Sequence, residues 1–254
     1  MPTILWHIEL SHYNEKARWA LDYKRVPHER RTPLPGMHGF AALALTRGGQ
    51  RRLPILELEG RRIGDSTAII AALEAYRPEP ALYPDDPAER ARALALEDEF
   101  DEELAPHVRR FVWQHTLGDA DATVDALMTQ ASPGRRRFMR AIVPLARPAV
   151  KLDYHVTADA AAESLTAIRG FMDRVEAELQ PSGYLVGDRF SVADLSAAAL
   201  FTPLICPPER QYAPASMTAP LLAVQAELDA RPGGAWVHEM YARHRGVSAE
   251  VAAA

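Results

Sequence analysis

Ser11, Asn14, Pro54, Asp65 and Ser66 are the residues of this chain whose types and spacing can do chemistry. Ser11 follows the apolar run Ile4-Leu5-Trp6-His7-Ile8 and opens a helical pattern over 12–24. A strand, a short turn and a helix start leave unpaired backbone N–H groups and partial positive charge at the turn. Such a place suits an anion, above all a thiolate held beside a hydroxyl donor. Leu53-Pro54 and Asp65-Ser66 follow within the next sixty residues or so and offer what a small anionic, peptide-like ligand needs further along the site.

The elements that must position these residues read as follows. Residues 3–9 alternate weakly and predict a strand. In 12–24, Ala17, Ala20, Leu21 and Lys24 recur at helical spacing, with Ser11 as the cap. Residues 26–34 are short and mixed and end in a Pro/Gly breaker, and 40–45 predict a short helix. Residues 53–58 and 61–63 form a hairpin around Gly60, and 66–76 a helix with Ile69, Ile70 and Leu73 inward. The order is βαβαββα. Four prolines then fall in the eleven residues 77–87, where neither helix nor central strand continues. Beyond that stretch, 88–117, about 123–130, 158–179, 192–204 and 220–230 all read as amphipathic helices, which predicts a bundle. Ser191 and Asp194 have capping-box spacing, with Phe190 and Leu195 at the staple positions. The tail after Ser248 reads as frayed.

Four motifs in this order resemble the glutathione S-transferase superfamily. They are Ser11-His12-Tyr13-Asn14-Glu15-Lys16, Leu53-Pro54-Ile55-Leu56, Asp65-Ser66-Thr67-Ala68-Ile69 and Phe190-Ser191-Val192-Ala193-Asp194-Leu195. The resemblance implies an α/β thioredoxin-like, glutathione-binding domain over 1–78, a linker at 79–87 and an all-α helical bundle domain over 88–254. It implies a glutathione S-transferase that makes glutathione, its co-substrate, into a thiolate for attack on a small apolar electrophile, with a role in detoxification. A non-catalytic glutathione- or partner-binding protein of the same fold is the alternative, as is a glutathione-dependent isomerase or lyase. The resemblance also implies a homodimer, its opposing domains facing each other across the two subunits.

Carried over residue by residue, Ser11 is the thiolate's hydrogen-bond donor, with Asn14 or Tyr13 as a second one. Tyr13 alternatively packs into the core. Leu53, with a cis bond to Pro54, offers its backbone to the peptide. Ser66 meets the γ-glutamyl carboxylate, Asp65 its ammonium, and Arg52 or Gln50 the glycyl carboxylate. His12, expected at the surface, and Phe111, Trp113, His115 and the Arg109-Arg110 pair, on the first long helix, are candidates for the second-substrate pocket.

Two features depart from the pattern. Asn14 stands where redox-active relatives carry a cysteine, so dithiol chemistry has no sulfur at this turn. The single cysteine, Cys206, reads as a small buried hydrophobe and excludes an intramolecular disulfide or a Cys-only metal site. The segment 132–154, with Arg135-Arg136-Arg137, is longer than the usual connection. It reads as a lid, as a basic amphipathic surface element or as a solvated insertion.

Composition sets the frame. Charged residues make up 25% and hydrophobic ones 48%, as in packed globular proteins. No apolar run nears the ~20 residues of a membrane span, and the first residues lack a secretory signal, so the cytoplasm is expected. Net charge is −5, with 12 Lys and Arg against 9 Asp and Glu in residues 1–84, a local +3. A basic first domain suits a small anion, and the acidic whole disfavours nucleic acid.

Overall fold

The computed structural model describes residues 2–34, 36–128 and 132–252. Strand β1 (Ile4–Trp6) turns into helix α1 (His12–Tyr23), followed by β2 (Glu29–Arg31) and α2 (His38–Thr46). Strands β3 (Ile55–Leu58) and β4 (Arg61–Gly64) and helix α3 (Ser66–Tyr76) complete the first unit. The sheet order is β2-β1-β3-β4, with β1 parallel to β2 and antiparallel to β3. Leu5, Leu56 and Leu58 of the sheet and Ile69, Ile70 and Leu73 of α3 belong to one apolar core. This is the thioredoxin-like arrangement expected from the sequence.

The rest is helical. The predicted helix over 88–117 is α4 (Pro87–Glu99) and α5 (Ala105–Thr116), joined by a π-helical turn at Phe100–Leu104. Pro106 has no N–H for a regular ladder, and the wider turn lies just before it. That turn buries Phe100, Asp101 and Leu104 together. Helices α6 (Ala120–Leu127), α7 (Pro133–Asp153), α8 (Ala158–Glu178), α9 (Val192–Phe201), α10 (Ala219–Asp229) and α11 (Pro232–His244) follow. Positions 129 and 130 of the helix expected at about 123–130 lie outside the described residues.

The structure adds to the sequence reading in three places. Helix α11 has no counterpart among the predicted helices, and it starts at Pro232-Gly233-Gly234. Both glycines are in fact buried in the helix start, because a side chain at Gly234 would meet the Leu228 carbonyl and one at Gly233 the Met172 sulfur. The tail past Ser248 is not frayed as far as Val251: Ala249 N–H bonds Asp22 at 2.8 Å and Val251 N–H bonds the His28 carbonyl at 3.0 Å. The 132–154 segment is one helix, α7, which packs Met139 and Val143 on Val124 and Met128 of the α6 region. Its outer face leaves Phe138, Leu145 and Leu152 exposed. Near its N-terminal end, Arg135 reaches the Pro33 carbonyl at 3.5 Å; at its C-terminal end, Asp153 stands 3.9 Å from Arg52. It thus touches the first unit near both ends.

The two units share one interior through α1. Trp19 is fully buried between Phe190 (5.6 Å) and Tyr241 (4.3 Å). The Ser191–Asp194 start of α9 is as expected: the Asp194 carboxylate accepts from Ser191 N–H and Oγ, both at 2.9 Å. Charged residues of α1 are buried as well. Lys16 pairs with Glu97 (2.8 Å) and Asp101 (2.7 Å), and Lys24 pairs with Glu74 while donating to the carbonyls of Arg77, Pro78 and Pro80. Arg245, near the chain's end, pairs with Glu15 at 2.7 Å and Asp22 at 2.9 Å. Removing one partner of a buried pair leaves an uncompensated charge. Arg245→Ala is therefore expected to destabilise the fold by about 3–5 kcal/mol in urea unfolding. A change under about 1 kcal/mol would mean that water replaces the guanidinium.

Candidate active site at the start of helix α1

Guanidinium groups fix the turn that presents Ser11. Arg18 donates to the carbonyls of Ile8 (3.2 Å) and Glu9 (2.8 Å), and Arg210 donates to that of Leu10 (2.8 Å). Ser11 itself is half-buried at the first turn of α1. It was expected to cap the helix, but its side chain accepts no backbone N–H. Its Oγ accepts instead from the Asn14 amide at 2.7 Å. The lone pair facing Asn14 is occupied, so the hydroxyl proton points elsewhere, and no side chain closes the N–H groups of the first turn.

Asn14 is fully buried and every arm is used. Its Nδ2 also donates to the Leu53 carbonyl at 3.3 Å, and its Oδ1 accepts from Ile8 N–H at 3.2 Å. It ties β1, α1 and the Leu53-Pro54 turn together and is committed away from any ligand sulfur. The expectation that it donates directly to a thiolate is corrected accordingly. Tyr13 is corrected too. Its hydroxyl donates to the Asp101 carbonyl at 2.8 Å, across to the π-helical turn, and burial raises its pKa far above 10. His12 is not a surface residue. It is 5% exposed, and burial, with Arg109 and Arg210 nearby, lowers its pKa to about 3, so the ring is neutral.

The Leu53–Pro54 peptide is cis, as expected. Among the described residues, Leu53 N–H has no protein partner, and its carbonyl holds only the long bond from Asn14. That open edge is what an extended peptide needs to add itself as a strand. Asp65 holds a positive φ of 75° and caps α3, its Oδ1 accepting from Thr67 N–H (2.9 Å) and Ala68 N–H (3.2 Å). Its other oxygen carries no bond among the described residues. Ser66 Oγ is buried and unpartnered. Gln50 folds back to donate to the carbonyls of Arg52 (2.7 Å) and Pro54 (3.4 Å), so it braces the cis turn. Arg52 is largely exposed, facing Asp153 and the Tyr154 ring (5.8 Å).

The second-substrate candidates separate. Phe111 is core, 4% exposed, with His115 against its ring at 4.6 Å. Trp113 stacks on Tyr154 at 6.4 Å and 8°. Arg109, one turn before Trp113, lies over Tyr154 at 4.5 Å and near Tyr13 at 5.9 Å. Ser11, Leu53, Pro54, Asp65 and Ser66 thus belong to one edge of the first unit, whereas His12 and Phe111 are packed inside. Arg210 and Tyr154 were not anticipated. Both come from the second unit, and nothing in their local sequence ties them to Ser11.

Family models for the N-terminal and C-terminal domains of glutathione S-transferase match residues 5–81 and 137–223. The chain belongs to the glutathione S-transferase superfamily. Solved structures superpose over nearly its whole length. The theta-class glutathione S-transferase of Xanthomonas axonopodis pv. citri, with glutathione bound, aligns with a TM-score of 0.58 at 22% identity, covering 98% of this chain and 100% of that one. The beta-etherase LigF of Sphingobium sp. strain SYK-6 aligns with a TM-score of 0.59 at 22% identity, over 94% and 99%. At these identities the likeness establishes the fold alone. A probable maleylacetoacetate isomerase 1 of Drosophila melanogaster is 48% identical over 42 residues, which is 16% of this chain and 17% of that protein. Among the described residues, no helix is long and apolar enough to cross a membrane, and no group of three or more His, Cys, Asp and Glu side chains is arranged to hold a metal ion.

Two expectations follow from the geometry of this transferase-fold site. Asn14→Ala strands the Ile8 N–H and frees the turn. It should destabilise the protein by about 1–3 kcal/mol in thermal or urea unfolding, and a neutral result would remove Asn14 as the brace. The second concerns acid. Burial and Arg18 lower His7 to about 2, burial and Arg109 lower His12 to about 3, and burial lowers His28 to about 4. Each is neutral in the fold, while the unfolded chain takes up protons near pH 6.5. Stability present above that pH is therefore lost as pH falls toward those values, at about 1.4 kcal/mol per pH unit for each histidine. Urea midpoints that stay level from about pH 7.5 to about pH 5 would contradict this.

Proposed function

We propose that this protein is a glutathione transferase in which the Ser11 hydroxyl donates a hydrogen bond to the glutathione sulfur and holds it as a thiolate, the thiol proton leaving to solvent. The observation that carries the reading is the Asn14–Ser11 bond of 2.7 Å, which occupies the serine oxygen and leaves its proton for a ligand. The open first turn of α1 adds backbone N–H groups and partial positive charge at the same place. Together such groups can lower a thiol pKa from ~8.5 by one or two units.

The peptide lies along the Leu53-Pro54 turn, with its γ-glutamyl end at Ser66 and Asp65 and its glycyl end toward Arg52. Residues 1–78 form the glutathione-binding domain, 79–87 the linker and 88–254 the helical domain. The enzyme works as a homodimer in the cytoplasm, and its task is detoxification. An isomerase or lyase that uses the same thiolate is the second reading. The local likeness to a probable maleylacetoacetate isomerase and the neighbouring beta-etherase fold favour it over a protein without activity.

Calorimetric titration with reduced glutathione, using S-methylglutathione as control, tests the site. Proton release with the thiol alone is the expected result, and no binding of either form at several millimolar would end the reading. Ser11→Ala should lower turnover by about 10-fold or more with little change in glutathione affinity, since it removes a hydrogen bond to a charged group. Equal rates in the two proteins would exclude Ser11 from the mechanism.

A further inference from the structure

Among the described residues, the other arginines that line this interior have partners. Arg18 faces Glu15, Arg30 faces Asp22, Arg245 faces both, and Arg210 holds two backbone carbonyls, although Arg210 Nε and one terminal nitrogen of Arg245 make no hydrogen bond. Arg109 differs. It is half-buried, its Nε has no partner, and among the described residues the whole guanidinium makes no hydrogen bond or ion pair. It lies against rings instead, 4.5 Å from the centre of Tyr154 and 5.9 Å from that of Tyr13. A cation so placed has given up part of its hydration without a directly bonded anion.

The surroundings supply no anion in direct contact, and Asp153 acts on Arg109 only from a distance. Arg52 approaches the same Tyr154 ring, and Arg110 donates to the Tyr154 carbonyl at 3.2 Å and to Ser164 at 3.1 Å. Asp153 faces Arg52 at 3.9 Å and is itself more than half exposed. Tyr13 follows Ser11 by two residues, so this excess of positive charge borders the turn where the sulfur is held. A guanidinium held over a ring and bonded to nothing else has N–H groups to offer, and their fork suits a carboxylate's two oxygens.

We propose that Arg109 receives a carboxylate of the second substrate, so that the electrophile is an aromatic or unsaturated acid rather than a purely apolar compound. The rings of Tyr13, Tyr154 and Trp113 supply the apolar contact for its body. This rests on the transferase reading for its chemistry, but the anion site can be measured without turnover.

Dinitrobenzoate, which lacks a leaving group, and its neutral methyl ester are titrated into the protein with and without saturating S-methylglutathione. The acid should bind wild type about 10-fold or more tightly than the ester, the worth of a charge-assisted pair. Arg109→Gln should abolish that preference while leaving ester and glutathione affinities unchanged. Arg109→Lys, which keeps the charge but not the fork, should retain part of it. In turnover, chlorodinitrobenzoate and its ester give the same contrast in KM: sulfur forms the carbon–sulfur bond and chloride leaves with its electron pair. Equal binding of acid and ester by wild type overturns the proposal. So does an Arg109→Gln protein that loses both alike, or one that loses glutathione instead. Acid binding that needs Arg109 in a protein with no affinity for glutathione would keep the anion site and remove the transferase reading.

Discussion

Glu15 is held between two guanidiniums, Arg18 from its own helix and Arg245 from the far end of the chain, and all three are buried. Burial works against its charge, but the two arginines outweigh it and keep the carboxyl ionised far below the usual carboxylate range. The same Arg18 turns its remaining N–H groups to the carbonyls of Ile8 and Glu9. A charge held by a charge on one side therefore fixes backbone on the other. The exact placing of Ser11 at the mouth of α1 depends on this arrangement. Arg210 completes it at Leu10 from a different part of the helical domain.

The arrangement has consequences for the way the two domains cooperate. Lys16 and Tyr13 of α1 both reach Asp101, one through its carboxylate and one through its carbonyl. Asp101 faces inward because the π-helical turn before Pro106 rotates the long helix at that point. Lys16 also donates to Thr67, the second residue of α3, so the Asp65-Ser66 helix start and the Ser11 turn are referred to one buried cation. Burial works against the charge of Lys16, and Asp101 with Glu97 more than restores it. The Ser11 turn and the start of α3 are thus pre-set by buried pairs, so groups bound there would meet their donors without reorganisation.

Fold membership and reaction part company at this point. A thioredoxin-like domain followed by a helical bundle hosts many activities, and the chemistry must be argued from the site. Here the turn has an amide where relatives with redox chemistry have sulfur, and that amide is consumed in holding Ser11, Ile8 and Leu53. The groups facing outward are a hydroxyl, open backbone N–H groups and, from the second domain, an arginine held by rings. That set fits anion stabilisation. It has no nucleophile of its own beyond the hydroxyl.

The sequence by itself determined the βαβαββα order and the helical second half, because hydrophobic period, proline and capping spacing are local signals, while the cis bond at Pro54 was implied by the resemblance to the transferase family. It also singled out Ser11, Leu53, Pro54, Asp65 and Ser66, through motifs that resemble the family's. Local patterns did not reveal which polar side chains would be free. Asn14, Tyr13 and Gln50 each had donors to offer, and only the packed chain shows them bonded to Leu53, Asp101 and the Arg52 carbonyl. His12 looked exposed because the helical domain that covers it lies about a hundred residues away. Arg109 is the converse case: the sequence offers it with Arg110 as a pair for the second-substrate pocket, and only the packed chain separates the two, Arg110 bonded to Tyr154 and Ser164 and Arg109 without a hydrogen-bond partner among the described residues. A hydrogen bond's partner is a property of three-dimensional proximity, and residues from 39 to 88 positions away decided it here for Asn14 and Tyr13.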